Sequence, residues 1–146
     1  MIIELTPDNM LQAARVYSES WRESHKDICS AEYLALHTPE YKKGCLETEL
    51  AKGKRVYMLI KEKPVGIVSI YGGLIECLYV LPDEQNKGYG TKLLAFAVDR
   101  CTQPPTLWIL NTNEGARRLY ERNGFCATGN RVEHTNQLYE LELRLS

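Results

Sequence analysis

Between Glu84 and Thr91 the chain reads EQNKGYGT, with Gly88 and Gly90 one residue apart and Lys87 and Lys92 flanking them. The strand-like run LIECLYV precedes this stretch; after it Tyr89, Leu93 and Ala97, with Leu94 and Val98 beside them, recur at helical spacing. A helix that starts there points unpaired N–H groups and the positive end of its dipole at whatever lies above the strand. That place suits an anion. Gly88 and Gly90 lack a Cβ and let the backbone bend and approach closely, while Gln85, Asn86 and Thr91 add polar side chains and Lys87 and Lys92 add charge. Each favourable charge at a helix N-terminus contributes about 0.3–1 kcal/mol, so several donors plus a lysine suffice for a diphosphate without a metal. The competing reading is that the glycines only punctuate a turn. A Walker loop is excluded because Thr91 and Lys92 follow Gly90 in the wrong order, and a dinucleotide fingerprint because Leu93 stands where its third glycine belongs.

Glu76 is the second residue with chemistry, an acid within the otherwise apolar LIECLYV. A carboxylate buried unpaired would be expensive, so Glu76 is either a general base in a cleft or an outward-facing strand residue. His25, His37 and His134 share no ligand spacing, and Cys29, Cys45, Cys77, Cys101 and Cys126 form no Cys-x-x-Cys pair, so no metal and no disulfide framework are expected. Trp21 and Tyr33 read as core aromatics, and His25 and His37 as surface residues. Arg117, Arg118 and Arg122 fall on one helix with Glu114 and Glu121, a solvated charged face.

Eighteen Lys plus Arg against nineteen Asp plus Glu leave a net charge of −1, which argues against a nucleic-acid partner. MIIELTPDNM lacks the basic start and apolar stretch of a secretory leader, and no run approaches the ~20 apolar residues of a membrane span. A cytoplasmic protein with no membrane partner is expected.

The elements around these residues read as one domain over residues 1–146. Ile2–Leu5 is strand-like, and Thr6-Pro7 starts a helix with Met10, Ala13, Ala14, Tyr17 and Trp21 on one face, running to about Arg22. Thr38-Pro39 starts another, lined on one side by Tyr41, Cys45, Leu46 and Leu50. VYMLI, PVGIVSIY and LIECLYV read as three antiparallel strands, and the helix after the glycines closes near Cys101. TLWIL is a strand, Asn113 opens a short helix that Gly124 stops, and Phe125–Val132 pairs with an alternating tail from Tyr139 to Leu145. The class is α/β of the α+β type, a mixed, mostly antiparallel sheet with helices on both faces.

LYVLPDEQNKGYGTKLL, Leu78 to Leu94, resembles the acetyl-CoA-binding signature of the GNAT superfamily of N-acyltransferases, whose Gln/Arg-x-x-Gly-x-Gly/Ala pattern is met by Gln85, Gly88 and Gly90. LWILNTNEGARRLYERNGF, Leu107 to Phe125, resembles that family's next strand and helix. The resemblance implies acetyl-CoA as co-substrate and an amine acceptor, a small molecule or a peptide, attacked directly. It implies that backbone groups of Leu78, Tyr79 and Val80 pair with the pantetheine arm, and that N–H groups from Gln85 through Asn86, Lys87, Gly88, Tyr89 and Gly90 to Thr91 hold the diphosphate. Asn113 would bond the arm, and Tyr120 would be the general acid for the leaving thiolate. Asn113 is also a favoured helix cap, and Tyr120 is also placed as a core aromatic.

Many relatives carry their basic glutamate two residues before Glu76, where this chain has Leu74; Glu133, His134 or a chain of waters are the other candidates for the base. The sequence does not fix the oligomeric state; small enzymes of this kind often pair, which leaves a homodimer open. A domain that binds CoA without catalysis is the alternative function.

Overall fold

The computed structural model describes residues 1–134 and 137–145. The β-rich runs pair as a meander in which β1 (Ile2–Glu4), β2 (Arg55–Ile60), β3 (Pro64–Tyr71) and β4 (Leu74–Val80) are successive antiparallel neighbours. From β4 the chain crosses through α4 (Tyr89–Arg100) to β5 (Thr106–Leu110), which lies parallel to β4. Helix α5 (Glu114–Arg122) leads to β6 (Phe125–Glu133), and β7 (Tyr139–Leu145) inserts between β5 and β6, antiparallel to both. The result is one seven-stranded sheet of order β1-β2-β3-β4-β5-β7-β6, the mixed, mostly antiparallel sheet expected from the sequence.

Strand β3 shows why its run is continuously apolar instead of alternating: it is buried from Val65 through Ile70, because helices cover both faces of the sheet. On one face, α1 (Met10–His25) and α3 (Pro39–Ala51) pack on Val56, Met58 and Ile67. On the other, Leu93, Leu94 and Ala97 of α4 join Leu59, Val68, Leu107 and Leu143.

Two local departures from regular sheet open the site. Ile67 pairs with Tyr79 but Ser69 pairs with Glu76, so Cys77 and Leu78 together oppose Val68, and Cys77 takes the left-handed backbone conformation at φ 52°. Such a bulge bends the strand and sharpens its twist. Beyond it β4 leaves β5, and the two strands share one pair, Leu74 with Thr106.

Several expectations need correction: Tyr33, expected in the core, is 50% exposed, and His37, expected at the surface, is buried among the rings of Trp21, Tyr33 and Tyr41. The first helix starts at Met10, where Asn9 accepts the Thr6 N–H at 2.9 Å, and continues one turn past Arg22 to His25. That extra turn is tied down where Ser24 Oγ donates to the Trp21 carbonyl at 3.0 Å and His25 Nδ1 meets the same carbonyl at 2.9 Å. Helix α3 is rotated from the expected face: Lys42 and Leu46 are buried and Tyr41 is exposed, because the Lys42 ammonium finds aromatic faces in α1. The short α2 (Ala31–Ala35) between them starts where Ser30 Oγ accepts the Tyr33 N–H at 3.1 Å.

Candidate active site

The splayed strands β4 and β5 leave a cleft of about 610 Å³, within the usual range for small-molecule sites. Ile75–Val80 form one wall and Leu107–Leu110 the other; α4's N-terminus, α5 and the last turn of α1 close it. Along Cys77, Leu78, Tyr79 and Val80 the edge facing β5 has no ladder partner, so its N–H and C=O groups can accept an added strand. The Gln85 amide donates to the Val80 carbonyl at 3.2 Å and holds the turn against the strand's end.

After a 3-10 turn over Pro82–Glu84, Asn86 and Gly88 both adopt left-handed backbone, φ 64° and 84°, on either side of Lys87. Mixing of right- and left-handed residues is the pattern of concave N–H nests that bind anions. Gly88 caps α4 without any side-chain hydrogen bond, so the first N–H groups of the helix remain free. The two glycines serve different ends. A Cβ at Gly88 would touch nothing, and glycine is favoured there by its φ, whereas a Cβ at Gly90 would lie 3.2 Å from Leu119 Cδ2, so Gly90 lets α4 and α5 approach. Lys87 is ion-paired with Glu84 at 2.9 Å, Tyr89 packs on the core and Thr91 is exposed. Free helix N–H groups, a nest and an unpaired strand edge along one cleft fit a diphosphate joined to an amide-bearing arm.

Asn113 caps α5, its Oδ1 accepting the Ala116 N–H at 3.2 Å, and it also lines the cleft. Tyr120 is 7% exposed with its ring 6.0 Å from Phe125, and burial pushes its hydroxyl up to about 12. Tyr120 lines the cleft, and its hydroxyl has no hydrogen-bond partner among the described residues. It keeps its proton across the physiological range.

Glu76 points to the α3 side, where Lys54 Nζ lies 2.8 Å away and also 2.6 Å from Glu49. Burial opposes the Lys54 charge, but the bonds to Glu49 and Glu76 outweigh it and hold its pKa well above the ordinary lysine range. Glu76 lines the cleft as one half of this ion pair. Glu133 pairs with Arg131 at 2.6 Å and His134 Nε2 lies 3.6 Å from Glu140; neither Glu133 nor His134 lines the cleft. Among the described residues no group of three His, Cys, Asp or Glu side chains gathers to hold a metal, and no helix is long and apolar enough to cross a membrane.

The end of α1 supplies a further wall of the cleft. Ser20, Glu23, Ser24 and His25 line the cleft, and behind them Trp21 is stacked by His25 at 4.1 Å and by His37 at 3.7 Å. Lys42, 3% exposed, holds its ammonium 4.2 Å over Tyr17 and 4.4 Å over Trp21, with no carboxylate paired to it among the described residues. Cation–π attraction offsets part of the cost of burying that charge. Burial lowers the Lys42 pKa; burial and then Lys42 and His25 lower that of His37; burial and Lys42 lower that of His25 against a raising bond to the Trp21 carbonyl.

Both imidazoles are therefore favoured neutral in the fold. Their contribution is fully present above the unfolded value near pH 6.5 and is lost as pH falls from there through the lowered folded values. The urea midpoint is expected to fall between pH 7.5 and 5.5, and His37→Phe to shrink that fall; an equal fall in the variant would show that other groups cause it.

No curated protein matches the chain in sequence. Among solved structures it is similar in fold to PaiA N-acetyltransferase from Thermoplasma acidophilum in complex with coenzyme A, at 20% identity and TM-score 0.74 over 97% of this chain and 96% of that one. It is similar also to ribosomal-protein-alanine N-acetyltransferase from Brucella melitensis, at 19% identity and TM-score 0.71 over 99% and 98% of the two chains. A third is yncA from Salmonella typhimurium with its cofactor acetyl-CoA, at 19% identity and TM-score 0.68 over 100% and 92%. The model of the acetyltransferase (GNAT) family matches residues 12–125, most of the chain, and the protein belongs to that family.

Proposed function

We propose that the protein moves an acetyl group from acetyl-CoA to the nitrogen of a primary amine, carried by a small molecule or a peptide, by direct attack with both reactants in the cleft. The observation that carries this reading is the single-pair junction of β4 and β5 beneath the uncapped N-terminus of α4. Acetyl-CoA supplies an acetyl group activated as a thioester. The edge of Leu78–Val80 pairs with the amide-bearing arm, and the N–H groups of Gln85–Thr91 bind the diphosphate. Asn113 Oδ1 is occupied as a cap, which leaves its side-chain amide hydrogens to donate to the arm. Tyr120 donates to the leaving sulfur.

Direct attack, rather than an acetyl-cysteine, is supported by Cys77, the one cysteine that lines the cleft among the described residues. Burial pushes its thiol up to about 11, and it donates to the Tyr17 hydroxyl at 3.5 Å, so it is not a thiolate at neutral pH. The alternative, a silent CoA binder, is favoured by the engagement of Glu76 with Lys54.

Calorimetry with acetyl-CoA, followed by thiol release over ethylamine, glycinamide, putrescine and a lysine peptide, separates these readings. Binding and turnover of at least one amine are expected. Binding with no turnover of any amine would favour the silent binder, and absence of binding would remove both.

A further inference from the structure

We propose that His25, at the end of α1 and lining the same cleft as Tyr120, is the general base that takes the acceptor amine's proton. The proposal rests on the acetyl-transfer reading above. At pH 7, stripping the proton from a lysine-like amine of pKa about 10.4 costs roughly 4.6 kcal/mol, against about 1.4 kcal/mol for an α-amino group of pKa about 8, so the proton needs a defined destination.

The side chains lining the cleft leave few destinations. Glu76, Glu84 and Glu23 are ion-paired with Lys54, Lys87 and Lys26 at 2.8, 2.9 and 2.7 Å. Tyr79, Tyr120 and Cys77 hold their own protons, because burial raises all three. Arg118 and Arg122 carry no free lone pair. His25 and Glu140 remain, and Glu140 has His134 at 3.6 Å.

The geometry at His25 favours it over Glu140. Its Nδ1 lies 2.9 Å from the Trp21 carbonyl, which can only accept, so Nδ1 carries the hydrogen and Nε2 offers the lone pair. Ser24 Oγ, 2.8 Å from the same Nδ1, and the stacked indole at 4.1 Å and 13° hold the ring plane. Tyr79, Ser24, Tyr120 and Glu140 line the same cleft as His25.

The titratable groups around His25 are Lys42 from α3, His37 from the turn before α3, and Tyr79 from β4 by way of Ser24. The carboxylate of Glu23, on the same turn of α1, is paired with Lys26 at 2.7 Å. Burial first, and then the positive charge of Lys42 held over Tyr17 and Trp21, favour the neutral imidazole that can accept.

In the step, His25 Nε2 takes the ammonium's proton and releases it to bulk water, and the nitrogen of the neutral amine then bonds to the acetyl carbon as the carbon–sulfur bond breaks. One N–H proton passes to His25 Nε2, and the Tyr120 hydroxyl proton goes to the departing sulfur. The imidazolium then returns a proton to the Tyr120 oxygen through cleft solvent, which restores both groups.

The test is the pH profile of kcat/KM for the fastest amine of the panel, with acetyl-CoA affinity measured beside it. His25→Gln is expected to lower kcat/KM about 100-fold at pH 7, to abolish the acid limb and to leave acetyl-CoA affinity unchanged. Added imidazole should restore His25→Ala in part, and Lys42→Met should move the acid limb to higher pH, since loss of a nearby positive charge favours the imidazolium. Retention of rate and acid limb in His25→Gln, or loss of the limb in Glu140→Gln instead, would overturn the assignment. A wild type that acetylates no amine overturns the acetyl-transfer reading and this proposal together, an outcome distinct from failure of His25 alone.

Discussion

Tyr120→Phe is expected to lower kcat by about 10²- to 10³-fold, the cost of removing one hydrogen-bond donor aimed at developing negative charge in a dry site. Acetyl-CoA affinity and thermal stability should stay close to wild type. The hydroxyl bonds no described residue, so its loss orphans no partner, and the ring that packs 6.0 Å from Phe125 is kept. The raised pKa of about 12 bears on the role. Against a free thiol near 8.5, complete transfer from such a hydroxyl would be uphill by roughly 3.5 units, or about 5 kcal/mol. On the proposed reading the thiolate leaves beside the same buried tyrosine, however, and burial raises its proton affinity by the same physics that raises the tyrosine's. Tyr120 therefore gives its largest help as the carbon–sulfur bond breaks, as a hydrogen-bond donor that completes the transfer late. Steady-state rates with a thiol-release assay, beside calorimetry and a thermal melt, check this. An unchanged kcat would reduce Tyr120 to a core aromatic.

What could be read in the sequence was local. The apolar run of β3, the Gly88 turn into α4 and the Asn113 cap of α5 each depend on a few neighbouring residues, and each lies where its spacing says. The site's shape is not local. The parting of β4 from β5 comes from a register in which Cys77 and Leu78 share one partner, and no residue type in LIECLYV announces it. Gly88 and Gly90 look equivalent in the motif, yet one answers a left-handed φ and the other a helix–helix contact with Leu119. Residues 25, 37 and 42 lie on three separate segments, and a lysine in an amphipathic helix normally reads as solvated; burial of Lys42 requires the rings of Tyr17 and Trp21 from another helix. Charge patterns along one helix cannot reveal a partner supplied by another.

Gly73→Val is expected to destabilise the fold by about 2–3 kcal/mol, or roughly 4–12 °C in Tm, and to weaken acetyl-CoA binding with it. Gly73 stands just before β4 at the closed end of the cleft, where its carbonyl accepts the Thr106 N–H at 2.8 Å next to the lone Leu74–Thr106 pair. A Cβ there would sit 2.6 Å from the Pro104 carbonyl oxygen and 3.1 Å from the Gln103 carbonyl carbon, and backbone cannot swing aside as a side-chain tip can. Relief requires β4 and β5 to separate where they are joined, so the walls of the cleft lose their common origin. Gly44→Ala is the control: its Cβ meets nothing in the interior of α3, and it should stabilise by about 0.5–1 kcal/mol through reduced unfolded-state freedom. Thermal melts of the two variants, with acetyl-CoA calorimetry well below each Tm, separate global loss from a loosened cleft. Wild-type stability and affinity in Gly73→Val would mean that the junction yields without cost, and that the split sheet is held open by the Cys77 bulge alone.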